Sequence, residues 1–166
     1  MKVEFLHEGV RYASLLEKAY QDALDFLDDD DVADIQDNLK DPKKTMETVT
    51  RLIANRNNAY RRGEYKTRFR TDCTGRAAML WAALEKIETF GYRICIGLAE
   101  PKNHVHDISD IPVEKLQPNH VWVEFQGAVY EQSSGNLVVH SYLEGYFDDL
   151  GNYNSVKKKL EVKDGA

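Results

Sequence analysis

The stretch RTDCTGRAAMLWAAL, residues 70 to 84, sets Cys73 between an aspartate and a Thr-Gly, at the mouth of an apolar, alanine-rich run. A thiol at a helix start is drawn towards thiolate, because unpaired backbone N–H groups and the helix dipole favour negative charge there. A thiolate that attacks a carbonyl also needs an imidazole to stabilise it and to pass a proton to the leaving group. A third polar group then holds that imidazole in place. Of the five histidines, His120 is the best placed to serve. It opens the run HVWVEF, whose alternate residues Trp122 and Glu124 share its face, while Val121, Val123 and Phe125 face the other way. His104 and His106 form an HVHD segment that could take a metal, but the sequence offers no matching ligand cluster. His7 and His140 have no comparable setting.

The third member follows from parity. HVWVEF and AVYEQS are separated by Gln126-Gly127, which reads as the turn of a β-hairpin. A two-residue turn pairs Phe125 with Ala128, Glu124 with Val129, Trp122 with Glu131 and His120 with Ser133. Cross-strand partners share a face, so Glu131 lies diagonal to the imidazole. A three-residue turn would shift the register by one and present Gln132 and Ser134 instead. The shorter turn favours Glu131.

These residues need elements to carry them. Leu16, Ala19, Ala23 and Leu27 recur at helical spacing over residues 9 to 27. The Asp28 to Asp31 tract interrupts that pattern and lacks the ligand spacing and central glycine of an EF-hand loop. Asp41-Pro42 is a helix start, with Met46, Val49 and Ile53 on its buried side. A third helix begins near Asp72, with Thr71 or Asp72 as cap, Ala77, Leu80, Leu84 and Ile87 on one face, and Gly91 as the stop. Tyr92, Ile94, Ile96 and Leu98 then alternate with Arg93, Cys95 and Gly97, which reads as a strand with Cys95 an inert core residue. Residues 100 to 119 read as a long loop, LVVH (137 to 140) as a further strand, and the tail from Asn152 carries no pattern. Helices first, then a helix feeding an antiparallel sheet, is an α+β layout in a single domain over residues 1–166.

Composition sets the frame. A chain of 166 residues, 42% hydrophobic and 30% charged, has the balance of one soluble globular domain. The absence of a long apolar segment argues against a membrane partner, and the absence of an export signal makes the cytoplasm the expected compartment. Two cysteines build no disulfide framework. A net charge of −6 makes nucleic acid an unlikely partner. The charge is uneven, however: residues 51 to 70 hold five arginines before Arg70 and one lysine, a run that either steers an anion or forms a solvated face.

The segments DCTGRAAMLWAALEKIETFGYRICIGL and NHVWVEFQGAVYEQSS resemble the transglutaminase-like pattern, with Asp-Cys at a helix start and His-x-Trp-x-Glu on a strand. The resemblance implies a papain-like α+β fold, with N-terminal helices over 1–65, a core over 66–145 whose nucleophile helix packs on an antiparallel sheet, and a tail over 152–166. It implies thiol-dependent acyl transfer or hydrolysis at an amide of a peptide or protein substrate, with no cofactor and no metal. Cys73 would be the nucleophile, His120 the base and Glu131 (or Gln132) the third member, supported by Asp72, Arg93 and Trp122. One departure stands out: the family's acid is usually an aspartate followed by Pro-Thr, and here the stretch is Glu131-Gln132-Ser133-Ser134. That departure fits an alternative, a catalytically inactive binding module on the same fold. Asp-Cys-Thr-Gly and the glycine hairpin are also similar to cell-wall cysteine endopeptidases of the NlpC type, although Gln117-Pro118-Asn119 replaces their usual Pro-Gly-Asp-Leu.

Overall fold

The computed structural model describes residues 8–132 and 137–162. Four helices come first: α1 (Glu8–Phe26), α2 (Asp29–Asn38), α3 (Pro42–Arg61) and α4 (Cys73–Ile87). Five strands follow: β1 (Tyr92–Pro101), β2 (His120–Phe125), β3 (Ala128–Tyr130), β4 (Val138–Phe147) and β5 (Tyr153–Lys159). The strands form one open antiparallel sheet in the order β3-β2-β1-β4-β5. The chain is therefore a mixed α+β fold with N-terminal helices packed against a C-terminal antiparallel sheet. Among the described residues no helix is long and apolar enough to cross a membrane.

The fold is organised around α4. Every residue from Ala77 to Leu84 is buried, and a helix apolar all round must be enclosed on all sides. Helices α1, α2 and α3 pack on it, and strand β2 lies against it too. Trp81 stacks on Tyr20 with ring centroids 3.9 Å apart and touches Phe147 at 4.9 Å, linking α1, α4 and β4. Each large apolar side chain removed from water here stabilises the fold by about 1.5–3 kcal/mol.

Several local features differ from the sequence expectations, each for a physical reason. The acidic tract does not merely interrupt a helix; it starts one. The Asp28 carboxylate accepts from the Asp31 N–H at 2.9 Å, and the Asp28 N–H donates back to Asp31 at 3.2 Å, a reciprocal cap on α2. The fourth helix stops at Ile87, where Glu88 takes the left-handed conformation (φ 62°), three residues before Gly91. Gly91, at φ 83°, instead turns the chain into β1 and donates its N–H to Asp149. The tail is a strand, β5, paired with β4.

The basic segment is largely solvated, with Arg51, Arg61, Arg62, Arg68 and Arg70 exposed, and Arg56 is the exception. Arg56 is 2% exposed, donates to the Thr67 carbonyl at 3.0 Å and lies over the Tyr65 ring. Its neighbour Asn57 makes two bonds with the backbone of Phe69, at 2.8 and 3.1 Å. These contacts pin the 62–72 loop onto α3, and so fix where α4 begins.

Candidate functional site

The α4 start is built tightly. Asp72 is the cap, and its carboxylate accepts from the Gly75 N–H at 3.1 Å. Burial pushes the Asp72 carboxyl up, but its bonds from Arg70 and from Gly75 hold it below the usual carboxylate range. Gly75 is required here, because a Cβ would stand 1.9 Å from the Arg70 carbonyl oxygen. Cys73 is the first residue of the helix and half-buried. Burial raises its thiol pKa; hydrogen bonding and charge from His120, with the Val121 N–H, more than offset this and hold it below the ordinary value.

The hairpin has a two-residue turn, with Phe125 opposite Ala128, Glu124 opposite Val129 and Val123 opposite Tyr130. Pairing ends at Tyr130, and Glu131 leaves the strand with Gln132 behind it. Ser133 and Ser134, like His7, lie outside the described residues. Arg76 of α4 donates Nε to the Glu131 carbonyl at 3.0 Å and fixes the backbone at this exit. The start of β2 is clamped as well. Asn119 exchanges two side-chain bonds with the Ala99 backbone, at 2.9 and 3.0 Å, and donates its own N–H to the Gly97 carbonyl.

His120, Glu131 and His140 meet at this end of the sheet. Their ligand-competent atoms all lie within 4.8 Å of one another. Glu131 Oε2 accepts from His120 Nε2 at 2.8 Å and from His140 Nε2 at 3.0 Å. An ionised carboxylate only accepts, so both Nε2 atoms carry protons in this arrangement. Burial pushes the Glu131 carboxyl up, but the two imidazoles reverse that and bring it down to about 2. Burial lowers the His120 pKa; its bonds to Cys73 and Glu131 outweigh that and raise it to about 9.

This corrects the acyl-transfer reading and the enzyme class that went with it, a cysteine peptidase, amidase or transglutaminase. That reading required one carboxylate dedicated to one imidazole in a Cys73–His120–Glu131 triad with a thiol nucleophile. The clustered groups are instead His120, Glu131 and His140, with Glu131 shared between two histidines and no cysteine in the set. Cys73 touches the cluster only through His120.

The remaining site residues form a supporting chain. Trp122 is buried and stacks on His140 with ring centroids 4.2 Å apart. Its Nε1 donates to Glu124 at 3.2 Å, and Glu124 accepts from Arg93 at 2.7 Å. The Arg93 guanidinium also lies over the Tyr146 ring at 4.5 Å. Between β2 and β4 the indole crosses β1 at Gly97, where a Cβ would stand 2.7 Å from Trp122 Cη2 and 2.0 Å from the Tyr142 carbonyl oxygen. Cys95 is fully buried beneath Trp122 and Leu143, and burial raises its thiol pKa far above the ordinary value. His106, exposed just after β1, pairs with Glu100 near the end of that strand, and neither belongs to the cluster.

His140 is the residue that sequence reasoning missed. It stands opposite Ala99 on β4, one strand beyond the His120 neighbour Gly97. The signal was Gly97 inside the strand, after the apolar run Ile94 to Ile96, which marks a close approach across the sheet. Set against known proteins, the chain matches no protein family, no curated protein and no solved structure.

Proposed function

We propose that this chain is a binding module, built on a transglutaminase-like scaffold, whose site takes a divalent transition-metal ion such as Zn²⁺ on His120, Glu131 and His140. The observation that carries the reading is the convergence of three donor atoms, from β2, the β3 exit and β4, within 4.8 Å. Two imidazole nitrogens and a carboxylate oxygen suit Zn²⁺, with bonds of about 2.0–2.2 Å and so about 3.3 Å between donors in a tetrahedron. The 2.8 and 3.0 Å separations from the carboxylate would open by a few tenths of an ångström, and the two imidazole nitrogens lie within 4.8 Å of each other. On binding, the ion would replace the two Nε2 protons, so loading releases protons. Trp122 against His140 and the Asn119 clamp before His120 supply the outer support that orients metal-binding imidazoles. The scaffold reading rests on Asp72-Cys73 at a helix start and on His-x-Trp-x-Glu along β2, with the sheet following the helix.

The test is calorimetric titration of the chelator-stripped protein with Zn²⁺, together with visible absorption after Co²⁺ loading. The expected result is stoichiometric binding with the d–d bands of an ordered low-coordinate site. Binding should be lost in His140→Ala and in Glu131→Gln. Absence of saturable binding, or binding that survives both substitutions, would sink the reading.

A further inference from the structure

A second feature is independent of the metal reading. Behind the α4 start lies a pocket of about 250 Å³, lined by Ile53 and Ala54 of α3 and by three arginines from three elements: Arg61 from α3, Arg68 from the 62–72 loop and Arg76 from α4. Other arginines find carboxylates: Arg51 with Asp34, Arg62 with Glu64, Arg70 with Asp72 and Arg93 with Glu124. Among the described residues, Arg61, Arg68 and Arg76 form no ion pair. Arg61 donates Nη1 to the Asn58 side chain, and Arg76 uses Nε and Nη1 on the carbonyls of Glu131 and Thr71, which leaves its Nη2 uncommitted.

Three cations that make no ion pair among the described residues, with only Arg76 feeling the Asp72 carboxylate, line one pocket in a chain of net charge −6, a setting that favours an anion. Guanidinium forks match phosphate oxygens geometrically and bond them more strongly than neutral donors do. A dianion compensates the cluster better than a monoanion. The buried Ile53 side chain and Ala54 offer the apolar surface that a bare inorganic ion would not use. We propose that this pocket binds a small phosphomonoester, its dianionic head on the three arginines and its carbon body against Ile53 and Ala54.

The experiment uses the full chain, stripped with chelator so that no metal at Glu131 can hold the phosphate, and titrates phenyl phosphate, inorganic phosphate and benzoate at low salt. Saturable binding of phenyl phosphate, tighter than either control, is the expected result. Arg61→Gln and Arg68→Gln should each weaken it about tenfold. Both side chains are exposed, and an unchanged circular dichroism spectrum shows that the variants fold. Affinity weaker than about 10 mM, or unchanged in both variants, overturns the proposal. Inorganic phosphate binding as tightly as phenyl phosphate overturns the role of Ile53 and Ala54.

Discussion

Replacing Glu131 by glutamine removes the one charge that two imidazoles share while keeping the side chain's size. The consequence for stability is worked through His120. Its folded pKa, about 9, stands above the ordinary 6.5. A raised imidazole pKa stabilises the fold fully below 6.5, and that stabilisation is lost as pH rises through about 9. At about 1.4 kcal/mol per pH unit the rise corresponds to about 3 kcal/mol. Cys73 supplies part of it and stays in the variant. Cys73 is the larger of the two raising influences, so the share of Glu131 is about 1 kcal/mol, counted once for the pair rather than added again through the carboxylate. Urea unfolding of the metal-free protein and of Glu131→Gln, at pH 6.5 and at pH 10, measures it. The variant should be less stable by about 1 kcal/mol at the lower pH, and the gap should nearly close at the higher one. An equal gap at both values would refute the reasoning, because a purely steric or hydrogen-bonding defect does not titrate.

Three further outcomes follow from the geometry. Gly97→Ala drives a methyl into the Tyr142 carbonyl and the Trp122 ring, so it should cost about 1–3 kcal/mol by urea unfolding and shift the tryptophan fluorescence as the indole leaves His140. Asp72→Ala removes the α4 cap and should cost about 1 kcal/mol in the same assay, with little change in the helical circular dichroism signal. Cys73→Ser, or alkylation of Cys73 with iodoacetamide, should leave the Zn²⁺ stoichiometry unchanged, since the thiol is outside the three-residue set; loss of binding would place Cys73 among the ligands.

What the sequence made legible was whatever local chemistry decides. Asp41-Pro42 and Asp72 each cap a helix because a short carboxylate at that position meets orphan N–H groups, whatever the tertiary context. The Gln126-Gly127 turn has φ of 50° and 75°, and so fixes a two-residue hairpin that puts Glu131, rather than its neighbour, against His120. What escaped were the features set by distant packing. Val138 to Phe147 is a full-length strand because it lies along β1, and nothing in the local pattern of VVHSYLEGYF requires its neighbour to be β1 rather than β2. His140 could be joined to His120 only after that neighbour was known. The cysteine motif, conspicuous in the one-dimensional chain, weighed more there than it does in the site.

The sheet is open, and its two outer strands carry their own safeguards. β3 has three residues, too few to template another strand. β5 ends in Lys157, Lys158 and Lys159, and Lys157 sits at φ 48°, where the pairing with β4 skips between Leu143 and Gly145. A kinked, lysine-bearing edge resists pairing with the edge of a second copy, so the open sheet is guarded at β5 by charge and by an irregular backbone.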